Sequence, residues 1–407
     1  MQGMQRGGMR MRLSARARIL SPSPTMAIDA RSKQMKAEGI DVVNFSVGEP
    51  DFDTPDAIKA AGIAAIQQGK TKYTPSAGTL ELRKAICAKL ERDNGLKYHP
   101  DEIVVSNGGK QSLYNAYQVI LDPGEEVIIQ APYWVSYPEI VRLAGGVPVV
   151  VETDESTGFR ITADMIREKL TNRTRAINLN SPSNPTGAVL TRKDLEEIAA
   201  LAVERDLIIV TDEIYEKLLY DGAEHVSIAS FGEEVKKRTI TVNGLSKAYA
   251  MTGWRMGYTA SERIFAKAMA DLQSQSTSGP SSISQAAAVA ALTGSQEPVE
   301  QMRQEFDRRR RHMMERLNRL PGFSVKVAPQ GAFYLFPNVS GLFGETVAGR
   351  KIETSDDLAE VILEHAQVAV VPGTGFGAPN YIRFSYATSM ERIDEGLDRI
   401  ERLLAQG

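Results

Sequence analysis

The chain has 407 residues, too many for one simple core, so two to three domains are expected. Apolar residues make up 42% and charged residues 24%, an ordinary globular balance, and a net charge of −3 argues against nucleic acid or an anionic membrane as the main partner. The single cysteine, Cys87, cannot close an internal disulfide, which fits a reducing cytoplasm, and no apolar run nears the ~18 residues of a membrane span.

The chain opens with five arginines (Arg6, Arg10, Arg12, Arg16 and Arg18) and no acid in its first eighteen residues. That is the texture of a transit peptide, but the segment is short and has no clear apolar face. Residues 1–13 are therefore read as a flexible arm. From Asp101 to Thr259 short apolar strands alternate with helix-like stretches. Ile103-Val104-Val105 leads into a helix over Gln111 to Ile120, and strands recur at Val127 to Ile129, Val147 to Val151, Ala176 to Leu179, Leu207 to Val210 and Ile240 to Val242. Arg192 to Glu204 carries an apolar period near 3.6. Alternation of this kind predicts βαβ units and a mostly parallel sheet covered on both faces.

Past residue 300 the texture changes to a long charged helix (Glu300 to Leu317), short strands (Phe333 to Leu335, Val368 to Val371, Tyr381 to Ser385) and an amphipathic helix (Glu391 to Leu404). This is an α+β pattern. The expected division is a large unit over residues 51–300, a smaller one over 301–407, and a segment 14–50 joining the smaller. The run Arg308 to Arg311 reads as a solvated helix face, with no nucleic acid needed to explain it.

Polar clusters follow several strands, and in an open α/β sheet the carboxyl ends of strands border the ligand crevice. Asn107-Gly108-Gly109-Lys110 is a glycine turn into a helix, suited to holding a phosphate on backbone N–H groups, though not at Walker-loop spacing. Lys247 ends a strand-and-turn, and Arg255 follows eight residues later. A lysine that must attack a carbonyl needs a neutral amine, which burial and nearby cations favour. Arg255 suits bidentate phosphate binding. Asp212, at the end of Ile208-Ile209-Val210, can pair with a protonated ring nitrogen.

The string from Ser246 to Arg255 (SKAYAMTGWR) resembles the cofactor-lysine signature of the class I aminotransferases. Ser181 to Gly187 (SPSNPTG), Asp212 to Tyr215 (DEIY), Gly48 to Phe52 (GEPDF) and Tyr73-Thr74-Pro75 stand in that family's order, and the likeness runs from about Ser14 to the C-terminus. The bacterial-type aspartate aminotransferases are the subgroup it is most similar to. The resemblance implies an α/β chain of the fold type I pyridoxal-phosphate-dependent transferases, with a large domain on a mostly parallel sheet and a smaller α+β domain.

It also implies roles. Lys247 would bond the cofactor and shuttle a proton, Asp212 would pair with the pyridine nitrogen, and Tyr215 and Asn184 would hold the ring's 3′ oxygen. Trp134 would stack on the ring. Gly108, Gly109, Lys110 and Arg255 would surround the phosphate, with Tyr73 arriving from the neighbouring subunit of a homodimer. Ser246 is counted with them, although Gly244 stands where many relatives carry a serine. Arg383 would clamp the substrate α-carboxylate, helped by Asn184, Trp134 and the backbone of Gly48. No metal is implied. Taken singly, Trp134 and Tyr215 read equally as core aromatics, Asn184-Pro185 as a turn and Arg383 as a surface arginine; their joint order favours the site.

The implied reaction is transfer of the amino group of L-aspartate to 2-oxoglutarate, with Lys110 meeting the distal carboxylate; the rival reading has Lys110 only supporting the phosphate. Relatives that accept prephenate carry a lysine just before the proline opening the N-terminal segment. Here that place is Ser21, while Thr25 and Lys110 fit their pattern, a mixed signal that leaves prephenate a minority activity. Two other classes share the scaffold: lyases or synthases, and pyridoxal-phosphate transcription regulators, which carry a whole DNA-binding domain before the matched region.

Overall fold

The structure, a computed structural model, describes residues 12–21 and 24–405. Arg6 and Arg10 of the expected arm lie outside the described residues; Arg12, Arg16 and Arg18 are exposed.

A two-residue strand, β1 (Val43–Asn44), precedes the main sheet. That sheet comprises β2 (Ile103–Asn107), β3 (Glu126–Ala131), β4 (Val147–Glu152), β5 (Thr174–Asn180), β6 (Ile208–Asp212), β7 (Thr239–Gly244) and β8 (Met256–Ala260). Beyond it come β9 (Tyr334–Leu335), a hairpin of β10 (Thr346–Val347) and β11 (Arg350–Lys351), then β12 (Val368–Ala369), β13 (Val371–Pro372) and β14 (Ile382–Ser385).

The seven strands lie in the order β2-β8-β7-β6-β5-β3-β4. Strands β3 to β7 pair in parallel, as the alternation of strands and helices predicts. Strand β8 runs antiparallel to both β2 and β7. The connection from Gly244 to Met256 is too short for the crossover helix that a parallel pair needs, so the chain doubles back. Strands β6 and β7 are buried at every residue, as expected of a sheet covered on both faces. The helix Arg192–Glu204 has the predicted bounds. Thr191 caps its start, accepting from the Asp194 N–H at 3.1 Å, and Leu195, Ile198, Ala199 and Ala202 form its buried stripe.

The C-terminal part holds a three-stranded antiparallel sheet, β13-β14-β9. Strand β1 pairs in parallel with β12, Val43 opposite Val368, and Val43 and Phe45 join the C-terminal apolar cluster. The helix Glu297–Leu317 buries Met302, Phe306, Met313 and Leu317 there, and Met390–Leu404 adds Ile393, Leu397 and Ile400. The expected solvated face at Arg308 to Arg311 is corrected: Arg309 and Arg310 are buried, and only Arg308 and Arg311 are exposed. Arg309 pairs with Asp51 at 2.7 Å, and Arg310 with Asp221 at 2.8 Å and Asp307 at 2.7 Å. Long cationic side chains bury their stems readily when carboxylates wait for their heads. No helix among the described residues is long and apolar enough to cross a membrane.

Candidate active site

Strands β5, β6 and β7 deliver their carboxyl ends to one wall of a cavity of ≈ 360 Å³. Asn180 ends β5 and Asn184 follows it, Asp212 ends β6 with Tyr215 just beyond, and Ser246 and Lys247 follow β7. The start of the helix Gly109–Ile120 contributes Gly109 and Lys110; Trp134 and Arg255 complete this side. Ser46 to Glu49, Tyr334 on β9 and Arg383 on β14 also line the cavity. Eleven of the residues singled out in the sequence therefore face one space. Gly108 stands just behind it, with φ +83°. Tyr73 does not line the cavity of its own chain and is 97% exposed.

Lys247 donates to the Gly48 carbonyl. Burial and, after it, the Arg383 charge push its amine pKa down to about 8, against the opposing pull of Glu49 and Asp212. Asp212 moves the other way. Burial raises its carboxyl to about 6, although Tyr137 donates to it at 2.8 Å and the Ile214 N–H at 3.2 Å. Two groups of opposite type thus approach neutrality in one cavity, a pattern found where proton chemistry is done.

At the phosphate-like end, Arg255 adopts φ 55° and is held by donations to the Thr252 carbonyl at 2.9 Å and the Asn107 carbonyl at 3.4 Å. A Cβ on Gly108 would stand 2.3 Å from Arg255 Nη2, so glycine makes room for the guanidinium beside the helix start. Lys110 Nζ lies 4.9 Å over the Trp134 ring; lost hydration and then Arg255 hold its pKa below the ordinary lysine value. At the other end Arg383 is buried, donating to Asn184 Oδ1 at 3.0 Å and to the Ser46 carbonyl at 2.7 Å, while its Nε has no partner. Four cations (Lys110, Lys247, Arg255 and Arg383) face the cavity, the electrostatics of a site for an anionic ligand.

Three contributors were not singled out in the sequence. Tyr137 holds Asp212, Asn180 receives the Asn184 N–H at 3.0 Å and donates to the Asp212 carbonyl at 3.0 Å, and Tyr334 meets Tyr215 hydroxyl to hydroxyl at 2.8 Å. Asn180 alone had a local signal, being polar at a strand's carboxyl end.

A family model described as aminotransferase class I and II matches residues 40–400. The chain is 52% identical to an aspartate aminotransferase of Bacillus sp. (strain YM-2), over 96% of this chain and 99% of that one. It is similar to the crystal structure of the aspartate aminotransferase from Rhizobium meliloti, with a TM-score of 0.94 at 45% identity, covering 97% of this chain and 99% of that one. Against the Thermus thermophilus aspartate aminotransferase with maleate the TM-score is 0.91 at 46% identity, covering 97% and 100%.

Proposed function

This chain belongs to the class I and II aminotransferases, and we propose that it moves the amino group of L-aspartate to 2-oxoglutarate, giving oxaloacetate and L-glutamate, with pyridoxal phosphate as cofactor. The observation that carries the reading is Lys247, an amine pushed down to about 8 in a cavity that also holds the buried Asp212 and Arg383.

The residues present fit the cofactor. Arg255 and the N-terminus of the helix Gly109–Ile120 suit a phosphate dianion, and the room left by Gly108 keeps both within reach of one group. Asp212, already anchored by Tyr137, suits a protonated ring nitrogen, whose positive charge would restore its ionised state. When bound, the cofactor withdraws electrons from the substrate's α carbon, which makes the Cα–H proton removable. The chain's own part is to orient and to move that proton. Arg383 gives one N–H from each terminal nitrogen to Asn184 and Ser46, which fixes the plane of the guanidinium and leaves the second N–H of each for an α-carboxylate held in one orientation. Lys247 Nζ has a large neutral fraction near pH 8 and can accept the Cα proton, a role worth roughly 10²–10⁴-fold.

Lys110 is the residue for the distal carboxylate, because it lines the cavity and its ammonium is a compact point charge with three donors. Tyr73 serves the neighbouring subunit of a homodimer; its exposure accompanies that of Ile63, Ile66 and Leu80, an apolar set that a partner would cover. Sedimentation at assay concentration checks the dimer, and a fully active monomer contradicts it. The enzymatic test is oxaloacetate formation from aspartate and 2-oxoglutarate with added cofactor. Turnover of aspartate to another product would support the lyase reading instead.

A further inference from the structure

The structure assigns Tyr334 a positioning role: its hydroxyl donates to Tyr215 and its ring backs Arg383, so one side chain couples the grip on the cofactor's ring oxygen to the grip on the substrate's carboxylate. The inference rests on the pyridoxal phosphate reading above.

Strand β9 carries Tyr334 and pairs antiparallel with β14, Tyr334 opposite Ser385 and Leu335 opposite Phe384. Side chains alternate along a strand, so Arg383 shares the face of Ser385 and becomes the diagonal neighbour of Tyr334. The guanidinium accordingly lies 4.4 Å from the Tyr334 ring centroid. That contact fixes the plane of the group without using any of its N–H donors, as a cation over an aromatic face does. Tyr334 is buried and lines the cavity.

That hydroxyl is 2.8 Å from the hydroxyl of Tyr215. Each phenol has one proton to give. If Tyr215 donates to the cofactor's ring oxygen, it must accept from Tyr334, which fixes the direction of the chain. Burial raises both phenols and Arg383 opposes the rise at both, but the guanidinium lies over the ring of Tyr334, which favours Tyr334 as the donor. A donor that itself accepts a hydrogen bond donates more strongly. Tyr334 thus acts on the ring oxygen through Tyr215.

The test uses holoenzyme of wild type, Tyr334→Phe and Tyr334→Leu. The bound cofactor's visible absorption is titrated with pH, and KM is measured for aspartate and for alanine. Tyr334→Phe keeps the ring and loses only the proton donor. The ring oxygen is then less well stabilised as an anion and holds the shared proton more tightly, so the absorption midpoint moves up by about half a unit to one unit. Its KM values stay within about twofold, because Arg383 keeps its aromatic backing. Tyr334→Leu shows the same upward midpoint and a KM raised about 2- to 30-fold for both amino acids alike. An unshifted midpoint in Tyr334→Phe overturns the relay through Tyr215, and unchanged KM in Tyr334→Leu overturns the backing of Arg383. A misfolded leucine variant leaves the phenylalanine arm decisive. A wild type with no cofactor absorption sinks the reading beneath the inference instead, and is seen before any variant is made.

Discussion

Asp212 and Glu216 lie four residues apart on one buried segment, yet their carboxyls are driven in opposite directions. Burial pushes both up. Asp212 ends near 6, with a tyrosine and one backbone N–H for company. Glu216 ends near 2, because Lys89 and His225 outweigh the same burial, with Asn94 donating at 2.9 Å. Asn243 also donates to Glu216 at 2.9 Å, and His225 meets Glu213 at 3.1 Å, where Ser227 donates at 3.0 Å. Behind the strand ends, then, is a cluster whose charges answer one another; in front is a cavity where burial outweighs the opposite charges nearby. The difference teaches that burial alone does not mark a functional site. What marks it is buried charge left without its partner, ready for a ligand to supply one.

Substitutions on the two sides should separate activity from stability. Lys247→Ala should lower aspartate turnover by several orders of magnitude, of which roughly 10²–10⁴ is proton transfer alone, with the melting temperature little changed. Glu216→Ala does the reverse. It strands Lys89 in the interior and should cost about 3–5 kcal/mol of stability by denaturant titration, while the folded fraction keeps its turnover. If Glu216→Ala abolished turnover in protein that remained folded, the division between the two regions would fail.

Lys110→Ala tests the cavity's outer cation. Loss of a charge-assisted hydrogen bond worth ~1.5–3 kcal/mol should cut kcat/KM for aspartate and glutamate roughly 10- to 150-fold more than for alanine, at saturating cofactor. An equal fall for all donors would return Lys110 to the phosphate. The smallest effect is a pH dependence of stability. Glu213 and Glu216 raise His225 above its ordinary 6.5 despite burial, so its contribution is full below about 6.5 and fades as pH rises through the folded value. Glu216 is held low, so its contribution is full above about 4.5 and is lost as pH falls toward 2. A His225→Gln variant should flatten the alkaline limb of the stability curve and, because His225 helps Lys89 hold Glu216 low, shrink the acid limb only in part.

Much of this was legible before any coordinates. The strands β2 to β7 announce themselves as apolar runs because both sheet faces are covered, and the helix Arg192–Glu204 by its capping residue and period. Lys247 and Asp212 could be found because each stands at or just past a strand's carboxyl end, and Arg255 because it stands in a recognisable order with them. Strand β8 escaped notice because Met256 to Ala260 begins inside the motif that carries Arg255, which drew the chemical reading first. Tyr137 and Tyr334 were missed for a different reason. Their partners lie 75 and 119 residues away, and no local pattern announces a hydrogen bond closed by tertiary folding. Arg309 and Arg310 misled in the same way, since the carboxylates that bury them include Asp51 and Asp221, 258 and 89 residues distant.

The central claim, that Lys247 is the reactive amine of the cavity, has a direct chemical test. Enzyme loaded with pyridoxal phosphate is treated with borohydride, digested and mapped. The account predicts the reduced pyridoxyl group on Lys247; finding it on Lys110, the other lysine of the cavity, would contradict it.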